Sequence, residues 1–205
     1  PLSSESGEAA LFAAGAVLDA VDAVLGGEVV NAFCAVRPPG HHAYRDKGGG
    51  FCLFNNVAIG ALAAIKKHSL SRVAIVDFDV HHGNGTQDIV WNEPDIFFVS
   101  THQSPCYPFT GNADETGAYN NVLNIPLAEG SGGATARHVF AEQIIPKLEF
   151  FQPQMIFVSA GFDAHRDDPL GGLGWTEDDY AFMMAALCDA AARCCEGKLV
   201  AVLEG

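Results

Sequence analysis

Short apolar runs alternate with longer helical patterns along the chain. Runs that favour strands lie at 31–37, 72–80, 96–101, 155–160 and 198–204, and helical patterns lie at 4–25, 54–68, 85–92, 134–151 and 176–195. The strand runs are continuously apolar instead of alternating, which is typical of parallel strands buried on both faces. The pattern predicts an α/β fold of three layers, α/β/α, with a mostly parallel central sheet.

Composition narrows the classes of function. The 205 residues are 49% hydrophobic, which is enough for one domain with a large core. A net charge of −14 predicts no direct binding to nucleic acid and favours cationic ligands. No apolar run approaches the roughly 20 residues that span a bilayer, so a soluble protein without a membrane partner is expected. Nothing in the pattern specifies an oligomer.

The cysteines carry information about the compartment. The chain has six, and no two of them form a C-x-x-C pair. Several lie in apolar segments, where a reduced thiol packs as a small hydrophobic group. We therefore expect free thiols and a cytoplasmic location.

Ionisable residues cluster where the second strand run ends, in VDFDVHHGNG at 76–85. In an extended segment, alternate residues share a face, so Asp77, Asp79 and His81 are expected to point the same way. Zinc binds carboxylate oxygen and imidazole nitrogen, and Asp79 and His81 could supply two ligands. The alternative is a buried hydrogen-bond network or a cap for the following helix.

Two other strand ends carry candidate chemistry, and in parallel sheets ligands bind beyond these ends. RPPGHHA at 37–43 holds His41 and His42 in a rigid Pro-Pro-Gly loop, where a histidine could exchange a proton during amide cleavage. The alternative is a pair of solvated loop residues. SAGFDAHRDDP at 159–169 offers Asp163 as a third metal ligand. The alternative there is an acidic turn.

Two loops contain aromatic residues that could line a pocket or pack on the surface. They are GGGFC at 48–52 and CYPFTG at 106–111. The first lacks the Lys-Ser/Thr pair of a phosphate-binding loop. The chain also lacks a Gly-x-Ser-x-Gly nucleophile elbow. A metal-activated water is therefore the predicted nucleophile.

The ordered set of motifs resembles the zinc-dependent histone deacetylase family, most closely its class II and bacterial-type members. The motifs are RPPGHHA, GGGFCLFNNVAIGA, VDFDVHHGNGTQ, DETGAYNNVLNIPL, SAGFDAHRDDPLGGL and VLEG. The resemblance implies the arginase-like α/β fold that this family shares with acetylpolyamine amidohydrolases. It covers almost the whole chain.

Carried over by position, the resemblance implies a metal site at Asp79, His81 and Asp163, with zinc as the metal and Fe²⁺ as an alternative. It also implies a structural potassium ion near Asp77, Asp79, His81 and Ser100. The zinc ligands implied in this way agree with those chosen from strand geometry.

The same resemblance assigns roles to the loop residues. His42 would be the main general base and acid, and His41, paired with Asp77, would support the transition state. Asn84 stands where some relatives have an aspartate, which predicts a less basic His42. Gly50, Phe51 and Tyr107 would form the wall of an acyl-lysine tunnel.

The expected function is hydrolysis of acetyl-lysine side chains in peptides or proteins. Alternatives are deacetylation of acetylpolyamines or other small amides, and an acyl-lysine-binding module that holds zinc without turnover. An arginase-like two-manganese enzyme is disfavoured because it needs more bridging aspartates.

Residues 1–205 are expected to form one catalytic domain. Relatives follow Leu-Glu-Gly with Gly-Tyr, and that tyrosine donates a hydrogen bond to the oxyanion. This chain is expected to lack the family's amino-terminal start and its carboxyl-terminal portion, including that tyrosine. The favoured interpretation is a fragment of a longer reading frame, and the alternative is a truncated form with impaired catalysis. Loss of one oxyanion donor typically lowers turnover by about 10²–10³.

Overall fold

A computed structural model describes residues 2–205 of the chain. Its helices are α1 (Ser6–Leu25), α2 (Asn56–Lys66), α3 (Asn84–Val90), α4 (Gly133–Val139), α5 (Ile145–Phe151) and α6 (Glu177–Cys195), and a π-helical turn (Phe140–Ile144) joins α4 to α5. Its strands are β1 (Asn31–Cys34), β2 (Val73–Asp77), β3 (Ile96–Gln103), β4 (Val122–Leu127), β5 (Ile156–Ala160) and β6 (Leu199–Leu203). Strands and helices alternate through most of the chain, as the apolar pattern predicts.

The six strands form one sheet in the order β1-β6-β5-β2-β3-β4. Every strand pairing within residues 2–205 is parallel. The register aligns Asp77 with Ser100 of β3 on one side and with Ser159 of β5 on the other. Because parallel strands all end at one edge of a sheet, the segments that follow β1, β2, β5 and β6 meet there.

Helices cover both faces of the sheet, and β2 shows why its sequence is apolar without alternation. Val73 and Ile75 pack in a core with residues of α1 and α2. Ala74 and Val76 pack in a second core with residues of α4, α5 and α6. All four side chains are fully buried. The predicted three-layer α/β fold is confirmed.

The sequence analysis does not predict strand β4, and the structure corrects the predicted set of strands at this point. Its sequence contains Asn124 and Pro126, and both residue types are depleted in strands. Within the described residues β4 pairs only with β3, at the edge of the sheet. An edge strand tolerates proline because it has one side with no ladder hydrogen bonds to make.

The single helix predicted at 134–151 is wrong in its continuity. Between α4 and α5 the backbone widens into the π-helical turn, where the Ile145 N–H donates to the Phe140 carbonyl. Pro146 gives the physical reason, since it has no N–H to donate to the carbonyl four residues earlier. A π-helical turn accommodates the missing hydrogen bond without ending the helical segment.

Several predicted strands also end early. The first apolar run leaves the sheet at Cys34, and the second leaves it at Asp77. The polar residues that follow in each run enter loops at the carboxyl edge of the sheet.

The described chain bears on two predictions from composition. All six cysteines are free thiols. No helix within residues 2–205 is both long enough and apolar enough to cross a membrane. The cytoplasmic location stays a prediction.

Candidate metal centre and catalytic pocket

The three predicted metal ligands lie together at the carboxyl ends of β2 and β5. Nδ1 of His81 is 3.0 Å from Oδ1 of Asp79 and 3.0 Å from Oδ2 of Asp163. One donor atom of each residue lies within 4.8 Å of the others. Ligands that each sit about 2.0–2.2 Å from one ion need a spacing of this order. Two carboxylates and one imidazole therefore fit Zn²⁺ or Fe²⁺.

The route of the backbone through this group differs from the prediction. β2 ends at Asp77, so residues 78–81 are not an extended strand. Oδ1 of Asp77 accepts a hydrogen bond from the Asp79 N–H at 3.1 Å, and Oδ1 of Asp79 accepts one from the His81 N–H at 2.9 Å. Each carboxylate thus fixes the backbone two residues further on, as in an Asx turn. Asp79 and His81 meet despite the early end of the strand.

Electrostatics in this group favour a positive charge between the two carboxylates. Burial disfavours a charged His81 ring, but hydrogen bonds to Asp163 and Asp79 outweigh burial and raise the His81 pKa to about 10. Burial, reinforced by the neighbouring Asp79, raises the pKa of Asp163. Atoms that stabilise a proton in this way are suited to ligate a divalent cation in its place.

The two adjacent histidines have different partners. Their ring centroids are 4.0 Å apart. Nδ1 of His41 lies 2.8 Å from Oδ2 of Asp77, and Nδ1 of His42 lies 2.6 Å from Oδ1 of Asn84. Because an amide oxygen can only accept, Nδ1 of His42 carries the proton and Nε2 is the basic atom. The structure thus pairs His41 with Asp77 and His42 with Asn84, as predicted. The catalytic roles of these residues stay predictions.

The two rings also differ in charge near pH 7. Burial opposes charging of His41, but the carboxylates of Asp77, Asp79 and Glu204 raise the pKa of this ring well above its usual value. Burial lowers the pKa of His42 to about 3, and the cationic His41 beside it contributes to the shift. His41 is therefore a cation, and His42 is neutral and able to accept a proton.

A buried carboxylate that the sequence analysis left without a role, Glu204, fixes the loop that carries His41. Oε2 of Glu204 accepts hydrogen bonds from the N–H groups of Gly40 at 2.6 Å and His41 at 3.0 Å. Oε1 accepts one from the Ser159 hydroxyl at 3.1 Å. The signal in the sequence is a carboxylate directly after an apolar strand, which is the same signal that pointed to Asp77.

A pocket of about 260 Å³ opens onto the metal ligands. It is lined by Arg37, Pro39, His41, His42, Gly50, Phe51, Asp79, His81, Tyr107, Asp163, Asp168, Leu170 and Gly205. The Tyr107 ring meets the His42 ring edge-on at 5.0 Å between centroids, and Phe51 is 85% exposed at the pocket. Gly50 has φ +51°, and a Cβ there would lie 2.2 Å from the His42 ring. The predicted wall residues border the pocket, and their role in binding substrate stays a prediction.

A larger cavity of about 770 Å³ lies beside this pocket, between the start of α1 and the loops at 37–39 and 48–53. The two cavities share Arg37, Pro39, Gly50 and Phe51. Asp79, His81 and Asp163 line only the smaller one. The smaller pocket is therefore the candidate site.

Ser100 completes the residues predicted to hold potassium. It pairs with Asp77 in the sheet, and its hydroxyl lies 3.0 Å from Nδ1 of His102. Ser100 thus lies next to the end of β2, close in the sheet to the other three residues. The potassium ion itself stays a prediction.

Fold and site together define the class of protein. A parallel α/β sheet carries a candidate metal centre at its carboxyl edge, and a neutral histidine lies in the same pocket as the ligands. This combination is typical of α/β proteins built for metal-assisted chemistry.

Comparison with known proteins identifies the family. The family profile described as "Histone deacetylase domain" matches residues 1–205. The chain is 46% identical over 203 residues to "Histone deacetylase 10, chloroplastic" of Oryza sativa subsp. japonica, covering 95% of this chain and 46% of that protein. It is 42% identical over 209 residues to "Histone deacetylase-like amidohydrolase" of Pseudomonas aeruginosa, covering 100% of this chain and 55% of that protein. The chain belongs to the histone deacetylase domain family.

A solved structure agrees with this assignment. The structure titled "Crystal Structure of HDA15 HD domain" matches with a TM-score of 0.92 and 40% identity, covering 98% of this chain and 57% of that chain. The chain spans about half the length of the curated relatives described above. The resemblance seen in the sequence is confirmed.

Proposed function

We propose that the chain is the metal-dependent catalytic domain of a deacetylase that hydrolyses acetyl-lysine side chains. The observation that carries the proposal is one pocket that joins a fitting metal donor set, Asp79, His81 and Asp163, to the neutral ring of His42. Membership of the histone deacetylase domain family supports amide hydrolysis over other metal-assisted reactions. Zinc is the proposed metal, with Fe²⁺ as the alternative and potassium in the structural site near Ser100.

The proposed reaction divides the work between metal and protein. When bound, zinc polarises an amide carbonyl and lowers the pKa of a water molecule toward about 7. Nε2 of His42 accepts a proton from the attacking water, while Asn84 holds the ring through Nδ1. His42 then returns the proton to the leaving lysine amine. General acid–base catalysis of this kind contributes about 10²–10⁴-fold.

His41 has a separate role in this scheme. It is a buried cation, held through Nδ1 by Asp77 and through its backbone N–H by Glu204. A fixed positive charge near the reacting amide stabilises the negative charge that develops on the carbonyl oxygen. Asp77 and Glu204 therefore act through His41 and not on the substrate.

The pocket wall and the overall charge support a lysine side chain as the substrate group. Phe51 and Tyr107 offer aromatic surface to the methylene groups of an acyl-lysine. The net charge of −14 attracts the cationic residues of a lysine-rich peptide.

The proposal is tested by acetate release from an acetyl-lysine peptide, using the full-length protein loaded with zinc. We expect hydrolysis that a chelator removes and added zinc restores. Asp163→Asn should lose the activity because it removes a ligand. Asp167→Asn, at a carboxylate with a side chain 76% exposed, is the matched control and should keep it. Hydrolysis that survives both chelation and Asp163→Asn would contradict the proposal.

Acetylpolyamines are the second candidate substrates, because the same negative charge favours any cationic amide. The discriminating measurement is kcat/KM for the acetyl-lysine peptide against kcat/KM for monoacetylated spermidine. A kcat/KM about a hundredfold higher for the polyamine would change the proposed substrate from acetyl-lysine to acetylpolyamine. The proposed reaction, amide hydrolysis, would stand.

A further inference from the structure

Two buried histidines, His82 and His102, have no part in the proposed reaction. Each is only 1% exposed, and their ring centroids are 4.7 Å apart. Each ring nitrogen of the two histidines has a hydrogen-bond partner, so the contacts themselves show what the two rings hold in place.

A carboxylate, Glu115, sets the orientation of the Gln87 amide, and this amide bonds to His82. Oε2 of Glu115 can only accept, so the Gln87 amide nitrogen donates to it, at 2.7 Å. Oε1 of Gln87 then accepts from Nε2–H of His82 at 3.0 Å. On the other side of the ring, Nδ1 of His82 lies 2.8 Å from the Thr110 hydroxyl.

His102 bonds to Gly111, the residue that follows Thr110 in the chain. Nε2 of His102 donates to the Gly111 carbonyl at 2.9 Å, and Nδ1 lies 3.0 Å from the Ser100 hydroxyl. Glu115 also accepts from the N–H groups of Gly111 at 3.3 Å and Asn112 at 3.1 Å. Every polar atom of the two rings has a partner.

These contacts converge on one segment, residues 104–112, which we call the aromatic loop. Tyr107 and Phe109 of this loop are exposed, at 45% and 78%, so little apolar burial holds their side chains. Gly111 has φ +86°, and a Cβ there would lie 2.6 Å from Nε2 of His102 and 2.6 Å from the His82 ring. Only glycine lets the backbone lie this close to both rings.

We infer that His82 and His102 are positioning residues that latch the aromatic loop and so hold Tyr107 beside the catalytic pocket. The latch consists of His82, His102, Gln87 and Glu115. The Tyr107 ring stands edge-on to the His42 ring at 5.0 Å and to the His81 ring at 6.1 Å. The consequence for binding rests on the proposed function, because it assumes that Tyr107 borders the acyl-lysine. The latch acts on binding of the substrate and not on the proton transfers.

Amide hydrogen exchange tests the latch without relying on activity. Thr110 is exposed, so Thr110→Val removes the hydroxyl that bonds to Nδ1 of His82 without disturbing the core. We expect the Gly111 and Asn112 amides to exchange several-fold to about tenfold faster in Thr110→Val, the size of effect that one lost hydrogen bond produces. Thr110→Ser keeps the hydroxyl and should restore slow exchange. Thr135→Val, at an exposed threonine of α4, is the matched control and should leave both amides unchanged.

The second arm of the latch is tested at His102. His102→Gln keeps an amide donor for the Gly111 carbonyl and should exchange nearly as slowly as the original chain. His102→Leu removes the donor and should accelerate exchange at Gly111, while amides of α6 stay protected in both variants. Equal exchange rates at Gly111 in the two variants would overturn this arm.

Kinetics of the full-length enzyme test the link to the pocket. In Thr110→Val we expect KM for an acetyl-lysine peptide to rise several-fold with kcat unchanged, whereas a loss of folded protein would lower kcat and leave KM alone. Unchanged exchange, or faster exchange with an unchanged KM, would overturn the inference. If exchange changes as expected but no form hydrolyses the peptide, the latch stands and the proposed function fails.

Discussion

His42 is held by an amide, Asn84, where a carboxylate would make the ring more basic. Burial has already lowered its pKa to about 3. The ring therefore stays neutral as the pH falls through the mildly acidic range, and a general base must be neutral to act. Asn84 thus holds the ring without the rise in the His42 pKa that a carboxylate in its place would cause.

We predict that Asn84→Asp moves the acid limb of the pH–rate profile to higher pH. A carboxylate beside Nδ1 favours the charged ring and raises the His42 pKa by about one unit or more. His42 then becomes protonated, and inactive as a base, at a higher pH than before. The measurement is kcat/KM against pH for both proteins. An acid limb that stays in place, or moves to lower pH, would contradict the assignment of His42.

Single residues differ in how far the sequence reveals them. Asp79, His81 and Asp163 could be predicted because each lies within four residues of the end of a recognisable apolar strand. The roles of His82, His102 and Glu204 could not, because their partners are backbone groups and side chains distant in sequence. Glu204, for example, bonds to Gly40 across 164 positions. The strand pattern places such residues at the correct edge but does not show what they contact.

Among the helices, α6 begins at a capping box that also anchors a neighbouring element. Oδ2 of Asp179 accepts from the Thr176 N–H at 2.9 Å, and Oδ1 accepts from Nε of Arg137 in α4 at 2.8 Å. Burial works against ionisation here, but the hydrogen bonds from Arg137 and Thr176 outweigh it and lower the pKa of Asp179. A carboxyl group whose pKa is lower in the folded state stabilises the fold above its unfolded pKa of about 4.

Asp179→Asn should therefore lower the free energy of unfolding at pH 7 by about 0.5–2 kcal/mol, the usual range for a lost cap. The difference from the original chain should shrink as the pH falls from about 4 through the lowered pKa of folded Asp179, because the unfolded chain takes up the proton first and the folded chain follows. Asp178→Asn, at the exposed neighbouring carboxylate, is the control and should have little effect. Urea unfolding at the two pH values checks this, and a difference that persists unchanged at low pH would contradict it.

Elements were predictable where one signal dominated. Continuous apolar runs predicted β1, β2, β3, β5 and β6, because a strand that is buried on both faces is apolar at nearly every position. β4 was missed because Pro126 argues against a strand unless its place at the sheet edge is known. The interruption between α4 and α5 was missed because the periodicity of residues 134–151 outweighed the single proline, Pro146.

For the whole molecule, charge determines how a substrate approaches. A net charge of −14 attracts cationic peptides over a distance that salt shortens. We predict that kcat/KM for an acetyl-lysine peptide flanked by lysines falls several-fold between low and high ionic strength. The same peptide flanked by serines is the control and should change little. Equal salt dependence for the two peptides would contradict electrostatic attraction.

The order of the sheet assembles the site from the whole chain. Because β2 lies next to β5, Asp163 meets Asp79 and His81 although it lies 84 positions after Asp79 in the sequence. The central claim is that these three residues hold one metal ion on which amide hydrolysis depends. Metal-free protein therefore provides the starting point for the decisive experiment.

The most direct measurement is the rate of acetyl-lysine peptide hydrolysis as zinc is added stepwise to the metal-free, full-length protein. We expect no hydrolysis without metal, a linear rise with added zinc and a plateau at one equivalent per chain. Asp163→Asn should show no such rise over the same range. Hydrolysis by the metal-free protein, or a plateau at one equivalent in Asp163→Asn that matches the original chain, would contradict the assignment of these three residues as ligands of a catalytic metal.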